Sequence, residues 1–116
     1  MNNAPIKPAS ILMVFTTLPD DTLARTLADA LVAERLAACV TLLPPAQSVY
    51  RWHNEIERAA EISLMIKTTS ARYPALEAAL RARHPYRVPE IIALPVTHAL
   101  PDYLAWVDAA TQPEDA

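Results

Sequence analysis

Arg83-His84-Pro85-Tyr86-Arg87-Val88-Pro89-Glu90-Ile91-Ile92-Ala93-Leu94-Pro95-Val96 is the stretch on which the reading of this 116-residue chain turns. Pro85 disfavours helical geometry in the residue before it, so a helix arriving from the N-terminal side must stop at His84, and Pro89 keeps the connection extended. The apolar run 91–96 then predicts a buried core strand. The segment therefore sets His84, Tyr86 and Glu90 on a proline-stiffened turn between a helix and a strand, which is where a site is expected.

Working back from it, residues 71–84 have a helical stripe of Tyr73, Leu76, Ala79 and Leu80. Residues 56–69 alternate, with Ile62, Leu64 and Ile66 on one face and Ser63, Met65 and Lys67 on the other, as a strand does. His53-Asn54 precedes them as a turn, Asn54 being the nearest substitute for glycine at positive φ. Residues 47–52 and 39–43 form one strand broken by Pro44-Pro45. Proline cannot donate to a ladder, so the break is a bulge or an edge position. The two halves make one unusually long hairpin. Earlier still, Leu23, Leu27, Leu31 and Val32 with Ala24 and Ala28 predict a helix over 21–36, capped by Asp20 or Asp21. Residues 10–17, apolar on both faces, predict a central strand.

Downstream, Leu100, Tyr103, Leu104, Trp106 and Val107 mark a short helix opened by Pro101-Asp102. Residues 1–9 and 111–116 are expected to be flexible tails. The order strand, helix, strand, strand, helix, strand is the α+β, ferredoxin-like βαββαβ unit in a single domain, with a long hairpin between its second and third strands and an extra C-terminal helix.

Composition narrows the function. Hydrophobic residues make up 53% of the chain, rich for a body with so much surface to cover, so part of that content is expected against other subunits. A net charge of −3 with no basic cluster argues against nucleic acid. Cys39 is the only cysteine, which excludes an internal disulfide and a thiolate-rich zinc site. No apolar run approaches the ~20 residues of a membrane span, and the first residues lack the pattern of a signal peptide; a soluble cytoplasmic protein is expected. There is no glycine at all. The Walker loop, the Rossmann fingerprint, the nucleophile elbow and the EF-hand loop each need one, so all are excluded in their standard forms.

Several separated motifs now point one way: Thr16-Thr17-Leu18-Pro19-Asp20, Glu34-Arg35-Leu36-Ala37-Ala38-Cys39-Val40, Val49-Tyr50-Arg51-Trp52, Met65-Ile66-Lys67-Thr68, His84-Pro85-Tyr86 through Val88-Pro89-Glu90-Ile91-Ile92, and Tyr103-Leu104-Ala105-Trp106. In this order they resemble the CutA family of divalent-cation tolerance proteins, over residues 11–107. The resemblance implies a tight homotrimer similar to the PII signalling proteins, a link to copper and other divalent metals, and no established catalytic reaction. Asn54 and Ala99 stand where the family usually has glycine, so Ala99 should adopt another turn geometry or carry strain.

Two constellations are candidates for chemistry. Where copper ligands have been proposed in the family, they are a cysteine at the end of the first strand and a His-His pair before the proline. By position these become Thr16 and Arg83-His84, leaving His84 as the plausible ligand for copper or another divalent cation, with Thr16 beside it as a poor substitute. The competing structural role for His84 is a capped helix end or a hydrogen-bonded turn. The second constellation is Lys67 and Glu90 with Glu61, Tyr50, Trp52, Tyr86 and Trp106. It reads either as an intersubunit salt bridge, since lone charges are seldom buried unpaired, or as an intersubunit cleft with an aromatic wall for a small anionic ligand. No Ser/His/Asp grouping can be assembled, so an enzyme is not expected. Two functions follow: a metal-responsive binding protein, or a PII-like signalling trimer that binds a small metabolite or a partner protein.

Overall fold

The computed structural model describes residues 10–114, so the expected tail 1–9 and residues 115–116 lie outside the described residues. The elements run β1 (Ile11–Leu18), α1 (Asp21–Ala33), β2 (Cys39–Leu42), β3 (Ala46–Trp52), β4 (Glu55–Thr69), α2 (Tyr73–Arg83), β5 (Ile92–Pro95) and α3 (Pro101–Ala110). This is the ferredoxin-like α+β arrangement, with its long hairpin and added helix.

β4 is the spine of the sheet. It pairs antiparallel with β1 from Ile11↔Thr69 to Leu18↔Ile62, with β2 from Cys39↔Lys67 to Leu42↔Leu64, and with β3 from Ala46↔Glu61 to Trp52↔Glu55. Pro44 and Pro45 fall between β2 and β3, and the ladder lapses there because neither has an N–H to donate. The order is β2-β4-β1-β5, with β3 continuing the β2 side past the end of β1. At the hairpin tip His53 and Asn54 have φ of 49° and 65°, the two left-handed residues that a two-residue type I′ turn requires.

Residues 91–96 correct the expectation of a core strand. β5 pairs only with β1, over four residues, and so forms an edge. Ile92 and Leu94 stay half exposed, because by alternation they lie on the sheet face away from α1 and α2. Ile91 and Ala93 turn inward onto the main core, and Val96 packs with Ile11 and Val107 on the other face.

Strand alternation sorts the apolar residues into two layers. Val14, Leu18, Ile62, Leu64 and Ile66 face Leu27 and Leu31 of α1 and Leu76 and Leu80 of α2. Each such buried aliphatic side chain contributes ~1.5–3 kcal/mol relative to exposure. On the opposite face α3 covers one end, packing Val107 with Ile11 and Ala38. The rest of that face carries Met13, Phe15, Thr41 and Met65 in register, flanked by Ile92 and Leu94.

α1 begins where expected: the Leu23 N–H donates to Asp20 Oδ1 at 2.8 Å, a cap worth ~1 kcal/mol. It ends three residues earlier than the apolar stripe predicts. Arg35 takes a left-handed φ of 59°, its N–H donates to the Val32 carbonyl at 3.1 Å, and the Leu36 N–H reaches back to the Leu31 carbonyl at 3.0 Å. This is a Schellman closure with arginine where glycine is usual. The Thr68 hydroxyl donates to the Leu36 carbonyl at 2.8 Å and ties the closure to β4. Val32 lies on α1's exposed flank, not in the core, since its neighbour Leu31 occupies the buried line.

At the start of the expected C-terminal tail, Thr111 closes α3. Thr111 is buried, and its hydroxyl donates to the Val107 carbonyl at 2.9 Å. Ala99 packs beside α3 without entering the left-handed region. The whole body measures 62 × 30 × 23 Å, long because the β3–β4 hairpin runs past the sheet with Val49, Tyr50, Trp52 and Ile56 exposed.

Candidate functional site

The turn after α2 meets the end of β1. Pro85 gives His84 an extended backbone (φ −78°, ψ 136°), which swings the imidazole back over β1. Its Nε2 lies 2.9 Å from the Thr17 carbonyl and 3.1 Å from Thr16 Oγ1. Its Nδ1 accepts the Tyr86 N–H at 3.2 Å. A carbonyl can only accept, so Nε2 carries the proton and Nδ1 does not: the ring is the neutral Nε2–H tautomer. Burial pushes the His84 pKa below its ordinary value, while the Thr17 carbonyl and the charge of Glu61 pull the other way.

Thr16 and His84 do meet, as the motif correspondence places them, but the donor set does not fit a metal ion. Both ring nitrogens are engaged, one as donor and one as acceptor. The third position, Arg83, turns away and its Nη2 donates to Glu34 Oε1 at 2.7 Å, joining the end of α2 to the end of α1. That contact holds the Glu34 carboxyl below the usual carboxylate range and raises the guanidinium's pKa. Among the described residues no three His, Cys, Asp or Glu side chains come together in a way that could hold a metal ion.

Beyond Tyr86 a cleft of ≈ 730 Å³ opens between the proline turn and the root of the hairpin, bordered by Tyr50, Trp52, Glu61, Tyr86, Arg87 and Glu90 among others. Glu61 is only 8% exposed. Its Oε2 accepts the Tyr86 hydroxyl at 2.8 Å. Burial, that hydrogen bond, the Glu61 charge and the neighbouring Tyr50 together push the Tyr86 phenol up to about 12, so it is a proton donor throughout the ordinary pH range.

The second constellation therefore divides. Glu61, Glu90, Tyr86, Tyr50 and Trp52 share the cleft. Lys67 and Trp106 lie elsewhere: Lys67 Nζ sits 5.6 Å from the centroid of the Tyr103 ring, and Tyr103 stacks at 5.5 Å on Trp106. Within one chain Lys67 and Glu90 form no ion pair; the ion pairs among the described residues are Arg25–Asp21, Arg35–Glu114 and Arg83–Glu34. The physical reason is distance, for Glu90 borders the cleft with Glu61, and Glu61 is six residues from Lys67 along one strand, ~20 Å. Sequence reasoning missed the Thr17 carbonyl, which has no side-chain signature, and Tyr103 as the partner of Lys67. It also passed over Arg87, which stood in plain view in the opening stretch.

Fold and site together define a ferredoxin-like protein with a cleft of aromatic and charged side chains at the root of a protruding hairpin, and with no assembled nucleophile or metal-ligand cluster among the described residues. The family described as CutA1 divalent ion tolerance protein matches residues 12–110, and the chain belongs to it. The divalent-cation tolerance protein CutA of Citrobacter koseri is 42% identical over 109 residues, covering 94% of this chain and 95% of that protein. Its counterpart in Thermus thermophilus is 46% identical over 95 residues, 82% of this chain and 92% of that one. Among solved structures, CutA1 from Oryza sativa matches with a TM-score of 0.88 at 36% identity, covering 90% of this chain and 96% of that one. The Thermus thermophilus structure matches at 0.85 and 44%, covering 88% and 99%.

Proposed function

We propose that this divalent-cation tolerance protein acts as a homotrimer in the response to metal ions, binding copper or another divalent cation weakly at most. The observation that carries the assembly is the β3–β4 hairpin. An isolated two-stranded ribbon is marginal in water, yet this one extends past the sheet with Val49, Tyr50, Trp52 and Ile56 exposed. The half-covered sheet face bearing Phe15, Ile92 and Leu94 is apolar as well. Neighbouring copies would bury both, and the family resemblance supplies the number three. No described helix is long and apolar enough to cross a membrane. The free thiol of Cys39 suits a reducing compartment, so we place the protein in the cytoplasm, although the Archaeoglobus fulgidus relative is described as periplasmic. The protein works without catalysing a reaction. Light scattering at micromolar concentration tests the assembly: a trimer is expected, and a stable monomer would refute it.

The cleft favours a second reading, that of a PII-like trimer binding a small metabolite where subunits meet. Its volume is that of small-molecule sites, and it contains a deeply buried carboxylate. A thermal-shift screen of metabolites beside Cu(II) and Zn(II) titrations separates the two readings by which class raises the melting temperature.

A further inference from the structure

The charge inside the cleft decides what it can hold. Two carboxylates, Glu61 and Glu90, border it against one guanidinium, Arg87. Arg87 is exposed and lies within 4.0 Å of neither carboxylate. Glu61 is more than nine-tenths buried, and among the described residues the only hydrogen bond of its carboxylate is the one Oε2 accepts from Tyr86. Its second oxygen, Oε1, has no partner among the described residues. No fully enclosed side-chain oxygen in the described structure lacks a partner, so Oε1 keeps some accessible surface, and Glu61 borders the cleft. A buried carboxylate with an acceptor oxygen left open is stabilised by a donor that carries positive charge.

The rings around it agree. Tyr50, Trp52 and Tyr86 border the same space, and aromatic rings attract cations, most strongly when water is excluded. The Tyr86 phenol cannot neutralise Glu61, since it stays protonated and uses its hydrogen on Oε2. The lysine that the residue pattern offered lies elsewhere within its own chain: Lys67 sits over Tyr103, towards the other end of β4.

We propose that the cleft binds a small organic amine, with its ammonium group donating to Glu61 Oε1 and drawn also by Glu90, and its carbon chain against Tyr50 and Trp52. This deepens the second reading above and rests on it for the wall that a neighbouring subunit adds. It reverses the anionic ligand that the residue pattern alone suggested, because Lys67, the cation that pattern relied on, does not border the cleft of its own chain.

The test is calorimetric titration of the intact protein with putrescine, a diamine, and with succinate, a dianion of similar length, with oligomeric state measured by light scattering in the same samples. Saturable binding of putrescine but not succinate is expected. Glu61→Gln, which keeps an oxygen to accept the Tyr86 hydroxyl but removes the charge, should weaken it about tenfold or more, as loss of a charge-assisted hydrogen bond does. Glu90→Gln should weaken it less. Three outcomes overturn the proposal: no heat with putrescine, preferential binding of succinate, or unchanged affinity in Glu61→Gln. Loss of assembly in Glu61→Gln without putrescine binding by the parent also overturns it, assigning Glu61 to a cation from a second copy. A monomer that binds putrescine refutes the trimer and leaves the amine site standing; a trimer indifferent to putrescine does the reverse.

Discussion

His84 shows how much one proline can decide. By stopping α2 and extending the backbone, Pro85 delivers a ring whose two nitrogens are satisfied by main-chain groups on either side. The neutral form is the one that fits, and burial holds the folded pKa below the ordinary 6.5. The sign of the effect on stability follows directly. Between the depressed pKa and 6.5 the unfolded chain binds a proton that the folded chain does not, so this contribution is complete above about pH 6.5 and declines as pH falls below it. NMR titration of the His84 ring should give a midpoint below 6.5, and a midpoint above it would contradict the burial argument. The same hydrogen bonds bear on copper. An imidazole must surrender one of its two bonds to bind a metal, and its neighbours here are a hydroxyl and an ion-paired arginine. Calorimetry with Cu(II) should find no submicromolar site, and His84→Ala should leave that result unchanged.

At the scale of elements, the register of the sheet was legible because alternation in residues 56–69 is strict and the proline pair marks its own break. The end of α1 was not. Glycine is the ordinary sign of a Schellman closure, and without one the apolar stripe runs on visually through Leu36 while the backbone has already turned at Arg35. A non-glycine residue in the left-handed region carries ~1 kcal/mol of strain. Arg35→Gly should therefore raise stability by up to ~1 kcal/mol less the added disorder of the unfolded chain. Its ion pair with Glu114 is long, at 3.5 Å, and largely exposed, so little is lost with it. Urea denaturation reads the difference; a clear loss of stability would mean that the arginine side chain matters more than its backbone. β5 misled for a different reason: an apolar run looks the same whether its own chain or a neighbouring one covers it.

For the molecule as a whole, the sequence announced the architecture and the neighbourhood of the site but not the division of its charged residues. Glu61 and Lys67 share one strand face, and only the length of β4 and the placing of α3 separate them into two surroundings. The projecting hairpin makes the assembly itself open to test. Trp52, 43% exposed at the end of β3, should be buried by a neighbour. Trp52→Glu should then prevent the proposed trimer from forming at micromolar concentration while leaving the core of α1, α2 and the sheet folded. Light scattering with circular dichroism checks both halves, and an intact trimer would remove this residue from the interface.

Left-handed turns at Arg35, His53 and Asn54 cost the folded chain some strain, but making every turn without glycine also has a consequence outside the folded state. Glycine is the residue that gives an unfolded chain most of its excess freedom, and each one replaced where the fold permits lowers the entropy of unfolding, by about 0.4–1 kcal/mol at room temperature. Eleven prolines narrow the unfolded ensemble further. Heat gains less by unfolding this chain than an ordinary one of its length, so resistance to temperature is built partly into the disorder it is unable to reach.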